Sequence, residues 1–222
     1  MLKEIIDVWT KEGLLKQSRE IILKMFDETR LMYSESALSF KRPRKVAFDI
    51  NSRDKTVDEM QMDVRKKVLE HLSISPAQDI TASLIFIYVV DGLERIGDYC
   101  KNVYDLTDIF PKKISEGKYM AALNEIEPMI SANFDLTKEA FEESDTKKAR
   151  QVDTKHLEVK KKVDSLILKI MKDPSLKANE AVSYALYARF LRRIDSHLKN
   201  ISTAMFNPIQ KIGYKPEKGN GG

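Results

Sequence analysis

One stretch of the chain carries acidic side chains at helical spacing, which is the pattern that most readily suggests chemistry. At 100° per residue, four carboxylates and one amide fall within an arc of roughly 80° on a helix. The members of this acidic stripe are Asp91, Glu94, Asp98, Asn102 and Asp105. Carboxylates about 6 Å apart repel by roughly 0.7 kcal/mol in water. The stripe therefore predicts a cation close to its carboxylates.

A second acidic pair, Asp54 and Asp58, has the same i,i+4 spacing on another predicted helix. If the two helices faced each other, their carboxylates would form an oxygen-rich cage for a cation. Acidic helix faces are also common as solvated surfaces compensated by nearby lysine or arginine. The spacing alone leaves both interpretations open.

Composition places these motifs in a helical protein. The 222 residues include only 8 glycines and 7 prolines, while 32% are charged and 42% hydrophobic. The net charge of +4 comes from 38 basic and 34 acidic residues mixed along the chain, so we expect no nucleic-acid partner.

The cysteine count, the first residues and the longest apolar run indicate the cellular compartment. A single cysteine excludes an intrachain disulfide, and the first residues lack the apolar core of a signal peptide. The longest apolar run, Leu84 to Val90, is far shorter than the roughly 20 residues needed to span a bilayer. We therefore expect a cytoplasmic protein without a transmembrane helix.

Apolar periodicity, caps and prolines predict six main helices. Asn51 or Ser52 is expected to cap the second helix, Ser75 with Pro76 and Gln78 to start the third, and Asp173 with Pro174 to start the sixth. The predicted spans are about 14–38, 54–72, 76–110, a helix reaching about 144 after a short helical piece at 118–126, 147–172 and 174–206. Residues 208–222 are predicted to form a flexible tail.

Internal repeats determine the predicted architecture. Four patterns of the first half recur in the same order in the second. Phe26 to Arg30 recurs as Phe134 to Lys138. Val57-Asp58 followed by Val64 to Val68 recurs as Val152-Asp153 followed by Val159 to Val163. Arg95-Ile96 recurs as Arg193-Ile194, and Lys101 to Val103 recurs as Lys199 to Ile201. The sequence thus predicts an all-α fold of two tandem three-helix bundles, in residues 1–112 and 113–207, related by a pseudo-twofold axis.

With this layout, the chain resembles the PhoU family of phosphate-uptake regulators. The resemblance runs from about Leu14 to Tyr214 and rests on the two-repeat pattern, on Asp54 to Asp58 and on Leu93-Glu94-Arg95-Ile96-Gly97-Asp98. It implies a cytoplasmic, non-enzymatic regulator that couples phosphate transport to signalling. The implied partners are a transporter component or a sensor histidine kinase, with membrane association only through the partner, and the implied assembly is a homodimer.

The resemblance also implies a metal site, because acidic residues at this spacing hold multinuclear iron or zinc clusters in that family. The matching positions are Asp54, Asp58, Asp91, Glu94 and Asp98. In the second repeat the equivalent positions are Ala149, Asp153, Arg189, Arg192 and Ser196. Since two arginines replace carboxylates there, we expect metal binding in the first repeat alone.

For the other potentially reactive residues, the sequence pattern favours structural roles. Cys100 lies on the apolar side of its helix and is predicted to be a core residue, while Asp153 and His156 are predicted at the surface or an interface rather than in a metal site. Arg95 and Arg193 are equivalent and are expected to bridge to acidic residues of neighbouring helices. Two further expectations concern a weaker candidate anion site, formed by Arg189, Arg192 and Arg193, and Trp9 as a docking residue for the bundle or a partner.

The sequence leaves two rivals to the regulatory function. A metal-dependent phosphoesterase would use the first-repeat carboxylates to hold water-activating metal ions, although no general acid, base or lid is evident. A helical scaffold would bind no metal at all. Metal analysis and a phosphoesterase assay distinguish these alternatives.

Overall fold

The computed structural model describes residues 13–41, 49–74, 79–109 and 118–207, and within these ranges all regular secondary structure is α-helical. The helices are α1 (Leu14–Lys41), α2 (Ile50–Ile74), α3 (Ile80–Ile109), α4 (Lys118–Glu143), α5 (Thr146–Met171) and α6 (Ala178–Ala204). The all-α prediction of six main helices is confirmed. None of these helices combines the length and apolarity needed to cross a bilayer.

Three helices form each bundle, as the repeats predicted. Helices α1, α2 and α3 pack against one another, and so do α4, α5 and α6. The repeated valines are buried at equivalent places in α2 and α5: Val57, Val64, Val68, Val152, Val159 and Val163. The apolar residues of the repeat motifs are therefore the core residues that hold each bundle together.

Helices from both bundles meet along one seam, with α3 beside α6 and α1 beside α4. Gly92 of α3 faces Ile201 of α6, whereas Tyr99, further along α3, contacts Arg193, which comes earlier in α6. The two central helices are therefore antiparallel. Their buried faces merge the two bundle interiors into one hydrophobic core.

A reciprocal pair of salt bridges at the seam follows the pseudo-twofold relation between the two repeats. Arg30 of α1 lies 3.3 Å from Asp135 of α4, and Lys138 of α4 lies 2.6 Å from Asp27 of α1. Arg30 and Lys138 are equivalent in the two repeats, and so are Asp27 and Asp135. The Phe26 and Phe134 repeat motifs thus meet each other across the seam.

Several predicted boundaries were wrong. Asp49 caps α2 by accepting the backbone N–H of Ser52, so the predicted caps Asn51 and Ser52 lie inside the first turn. The fourth helix is continuous from 118 to 143, because Pro128 lies on its exposed side and leaves the buried stripe intact. Helix α6 begins at Ala178, since Asp173 and Pro174 form a separate turn.

Three predictions fall outside the described residues. They are the start of the third helix at Ser75 and Pro76, the docking role of Trp9, and the tail at 208–222.

Candidate metal centre

The predicted ligands lie along the contact between α2 and α3. These helices run antiparallel: Asp54 lies beside Gly97 and Lys101, while Gln61 and Arg65 reach Asp91 at the other end. This arrangement places the Asp54 and Asp58 pair opposite Glu94 and Asp98. The two acidic pairs identified in the sequence therefore share one face of the first bundle.

Mutual repulsion is evident in two of these carboxyls. Partial burial raises the pKa of Asp58, and the charges of Asp54 and Asp98 raise it further. Partial burial likewise raises the pKa of Glu94, with Asp98 the largest electrostatic cause and Arg95 acting in opposition. Carboxylates from both helices thus influence one another, which is the electrostatic situation that a bound cation relieves.

Basic side chains neutralise part of this face. Lys101 forms an ion pair with Asp54 that raises the lysine pKa. Arg95 reaches Asp98 at 3.3 Å and Glu94 at 3.7 Å. Asp58 has no basic partner within 4 Å in the part of the chain that the structure describes. The compensated-surface interpretation therefore accounts for most of the acidic face, whereas Asp58 is influenced by the Lys101 charge without forming an ion pair.

Asp91 stands apart from the other four carboxylates. Its Oδ1 accepts hydrogen bonds from Arg65 at 2.7 Å and from Gln61 at 3.2 Å. Across the four described ranges, no three His, Cys, Asp or Glu side chains are grouped closely enough to hold a metal ion together. The all-oxygen donor set of Asp54, Asp58, Glu94 and Asp98 suits a hard or borderline cation, but these side chains would have to leave Lys101 and Arg95.

The equivalent face of the second bundle is different in charge. Asp153 lies 3.9 Å from Lys199, and Arg192 is paired with Asp164 of α5. Arg189 is exposed, and the Ser196 hydroxyl donates to the Arg192 carbonyl oxygen. This face therefore presents arginines where the first bundle presents carboxylates.

A buried polar cluster in the second bundle was missed from the sequence. Asp195 is fully buried, accepts a hydrogen bond from Asn133 at 2.7 Å, and lies 2.6 Å from Nδ1 of His156. His156 was predicted at the surface or an interface and is instead largely buried against this carboxylate. The missed signal is that Asp195 and Asn133 occupy apolar-stripe positions of α6 and α4.

Glu127 is a second missed residue. It is buried at the seam, pairs with Lys41, and accepts the Tyr187 hydroxyl at 2.7 Å, while its backbone oxygen accepts the Tyr33 hydroxyl. The carboxylate also raises the pKa of Tyr187, after burial as the larger cause. These hydrogen bonds link α1, α4 and α6.

The prediction for Cys100 and the prediction for the equivalent arginines Arg95 and Arg193 have opposite outcomes. Cys100 is fully buried, and burial raises the pKa of its thiol, which confirms the predicted core role. The prediction for Arg95 and Arg193 was wrong, because Arg95 pairs within its own helix and Arg193 donates to the Tyr99 hydroxyl at 2.9 Å. Arg193 therefore joins α6 to α3 without a carboxylate.

Comparison with known proteins agrees with this two-bundle geometry. The family model described as the PhoU domain matches residues 22–107 and again residues 123–205. The chain is 23% identical over 170 residues to the "Phosphate-specific transport system accessory protein PhoU homolog" of Clostridium acetobutylicum, covering 72% of this chain and 76% of that protein.

Two solved structures share the fold. The crystal structure of PhoU from Pseudomonas aeruginosa superposes with a TM-score of 0.77 at 18% identity, covering 86% of this chain and 95% of that one. The phosphate transport system regulatory protein PhoU from Streptococcus pneumoniae gives a TM-score of 0.78 at 15% identity, covering 86% and 92%.

Proposed function

This chain belongs to the PhoU family, and on that premise we propose that it is an accessory regulator of a phosphate transport system. The observation that carries the proposal is that the family's domain matches both bundles, over residues 22–107 and 123–205. The similar protein of Clostridium acetobutylicum is named as such an accessory protein, which supports the same role.

At a finer level, the regulator would couple phosphate transport to phosphate signalling by binding a transporter component or a sensor histidine kinase. It would work in the cytoplasm, as a homodimer, and reach the membrane only through its partner. This role needs binding surfaces rather than a catalytic centre. We accordingly propose a regulator and not an enzyme.

The acidic face of the first bundle would hold the metal ions, iron or zinc, of this regulator. Asp54, Asp58, Glu94 and Asp98 are the ligands that fit best, and Asp91 would join them only by leaving Arg65. A bound cation supplies positive charge between α2 and α3. The raised pKa values of Asp58 and Glu94 support this proposal, because burial and then neighbouring carboxylates disfavour their charged forms, and a bound cation would oppose both effects.

Affinity purification from the native cell at high and low phosphate, with metal analysis of the same sample, tests the proposal. We expect iron or zinc together with a transporter component or a sensor kinase. The double variant Glu94→Ala with Asp98→Ala should lose the metal, whereas the matched control Asp153→Ala should keep it, because Asp153 lies beside Lys199 and arginines replace carboxylates at the equivalent positions 189 and 192. Wild-type metal content in the double variant would show that the ligand assignment is wrong.

An activity assay separates this regulator from the rival enzyme. Metal-loaded protein should show no turnover of a panel of phosphoesters. Turnover that Glu94→Gln abolishes would replace the proposed role with that of a metal-dependent phosphoesterase. A protein that binds neither metal nor partner would instead be a helical scaffold.

A further inference from the structure

A lysine-lined groove of about 750 Å³ lies at one end of the second bundle, between α4 and α5. It is remote in sequence from the acidic face, which belongs to α2 and α3. Its lining includes five lysines, Lys118, Lys161, Lys162, Lys169 and Lys172. The volume falls within the range of about 300–1,000 Å³ typical of small-molecule sites.

Among the described residues, two carboxylates line this groove, and each is already paired. Asp173 lies 2.8 Å from Nζ of Lys118, and Glu125 lies 3.0 Å from Nζ of Lys162. Lys161, Lys169 and Lys172 have no carboxylate within 4 Å in the described ranges of the chain. Three ammonium groups are therefore left for an anion.

Helical geometry places these three lysines on the same side of α5. At 100° per residue, Lys161, Lys169 and Lys172 fall within an arc of roughly 80°, spread over about 16 Å along the axis. Such a row can bind several linked phosphate groups at once, because each ammonium is a separate point charge on a flexible stem.

The groove also offers apolar surface beneath the charges. Tyr119, Ile126 and Leu166 line its floor but are almost fully buried, so the accessible apolar surface comes chiefly from Ala122, Pro174 and the lysine stems. Tyr119 is held in place because its hydroxyl donates to Asp173 at 2.7 Å. The contact with Lys118, followed by hydrogen bonds from Ser175 and Tyr119, holds the pKa of Asp173 far below its usual range. The end of the groove is therefore built of ordered, mutually bonded groups.

The matching region of the first bundle lacks this combination of charges. Lys67 and Gln17 are paired at 3.1 Å, as their equivalents Lys162 and Glu125 are. However, Lys66, the equivalent of Lys161, has a partner in Glu70, and Ile74 stands in place of Lys169. The free lysine row is therefore particular to the second bundle.

From these contacts we propose that the groove binds an organic polyphosphate of nucleotide size. The ammonium groups of Lys161, Lys169 and Lys172 would converge on the phosphates through their flexible stems, and the ring of the ligand would cover Ala122 and the lysine stems. The described lining residues include no set of hydrogen-bonding groups that would recognise one particular base, so a nucleoside triphosphate such as ATP is a suitable probe. This site shares no lining residue with the proposed metal centre.

Calorimetric titration of the full chain with ATP tests the inference. EDTA is present so that no metal ion joins the nucleotide to the acidic face. We expect binding at low ionic strength that weakens as salt screens the lysines. The triple variant Lys161→Gln, Lys169→Gln and Lys172→Gln should bind ATP at least about tenfold more weakly, since three charges facing the phosphates are removed.

A matched control removes the same net charge from the first bundle, through Lys16→Gln, Lys55→Gln and Lys66→Gln, and should bind ATP like the wild type. Circular dichroism checks that both triple variants remain folded. Adenosine should not bind, and inorganic triphosphate should bind several times more weakly than ATP because it cannot cover the apolar floor. The inference is overturned if ATP does not bind, if both triple variants weaken it equally, or if inorganic triphosphate binds as tightly as ATP.

Discussion

The surroundings of His197 determine the protonation of its imidazole. Its imidazole lies on the seam between α6 and α3, with its ring centroid 5.7 Å from that of Tyr99. Burial, followed by the charges of Arg193 and Arg95, lowers the pKa of His197 from 6.5 to about 4. The folded protein therefore keeps this imidazole neutral at mildly acidic pH, where an unfolded chain would protonate it.

This depressed pKa predicts an acid-sensitive contribution to stability. Between about pH 6.5 and 4 the unfolded state binds a proton that the folded state does not, so the free energy of unfolding falls as pH decreases. In urea titrations, the loss between pH 7 and pH 5 should be about 1–2 kcal/mol larger for the wild type than for His197→Gln. Equal losses would contradict the prediction, as would an NMR titration showing His197 protonated near pH 6.

Site residues differ in how far the sequence could reveal them. Asp54, Asp58, Glu94 and Asp98 were found because i,i+4 spacing specifies one helix face regardless of tertiary structure. Their ion pairs were not predictable, because Lys101 and Arg95 have several acidic neighbours to choose from. The metal ligands themselves stay a prediction.

Buried polar clusters were missed for a different reason. The hydrogen bonds of Asp195 to Asn133 and His156 join three helices, so no local pattern contains them. A polar residue on an apolar stripe shows that a buried partner must exist, but not which residue it is.

At the scale of elements, the connection between α4 and α5 is two residues long and tightly specified. Ser144 adopts a left-handed backbone with φ of 53°, and the N–H of Asp145 bonds back to the Ala140 carbonyl oxygen at 2.9 Å. This is the pattern of a helix that ends in a left-handed residue. Asp145 then caps α5 by accepting the N–H groups of Lys147 and Lys148.

Substitutions in this connection should change stability in opposite directions. Asp145→Ala removes the cap of α5 and should lower the free energy of unfolding by about 1 kcal/mol. Ser144→Gly relieves the left-handed conformation and should raise it by about 0.5–1 kcal/mol. Urea denaturation measures both changes, with Ser144→Ala as the control that keeps the strain. A gain from alanine as large as that from glycine would contradict this account.

Helix existence was easier to predict than helix ends. Apolar periodicity over some 25 residues is robust, and the repeated valines of α2 and α5 lie where it indicated. At Asp173 and Pro174, the same residue types that start a helix also suit a turn. The contacts of Asp173 with Lys118, Tyr119 and Ser175 favour the turn, and the first two belong to a distant helix.

At the scale of the whole molecule, the seam between the bundles determines whether they behave as one unit. The reciprocal bridges of Arg30 with Asp135 and Lys138 with Asp27 lie at its α1–α4 side and are largely solvent-accessible. Exposed ion pairs contribute only about 0–1 kcal/mol each. The main contribution therefore comes from the buried contacts of the seam, above all those of α3 with α6, and a single cooperative unfolding transition follows from that shared core.

Two glycines of α3 provide a matched test of this contact. A Cβ at Gly92 would lie 2.7 Å from Cγ1 and 2.9 Å from Cδ1 of Ile201, across the seam. A Cβ at Gly97 would meet nothing closer than 3.6 Å, the distance to Asp54 Oδ1 and to Met32 Cε. Alanine improves an unobstructed helix interior by about 0.5–1 kcal/mol relative to glycine, whereas overpacking costs about 1–3 kcal/mol. The stability change on substitution by alanine should therefore be set by the seam contact at position 92 and by helix propensity alone at position 97.

We expect Gly92→Ala to lower the free energy of unfolding by about 1 kcal/mol and Gly97→Ala to raise it by about 0.5–1 kcal/mol, both measured by urea denaturation in EDTA. Adding Ile201→Val to Gly92→Ala should recover part of the loss, because the shorter side chain removes Cδ1, one of the two atoms that the new Cβ would meet. That recovery is a positive coupling between α3 and α6, and it reports directly on the seam. If both alanine variants were stabilised equally, the bundles would not be in close contact at Gly92, and the cooperative transition would have to arise elsewhere.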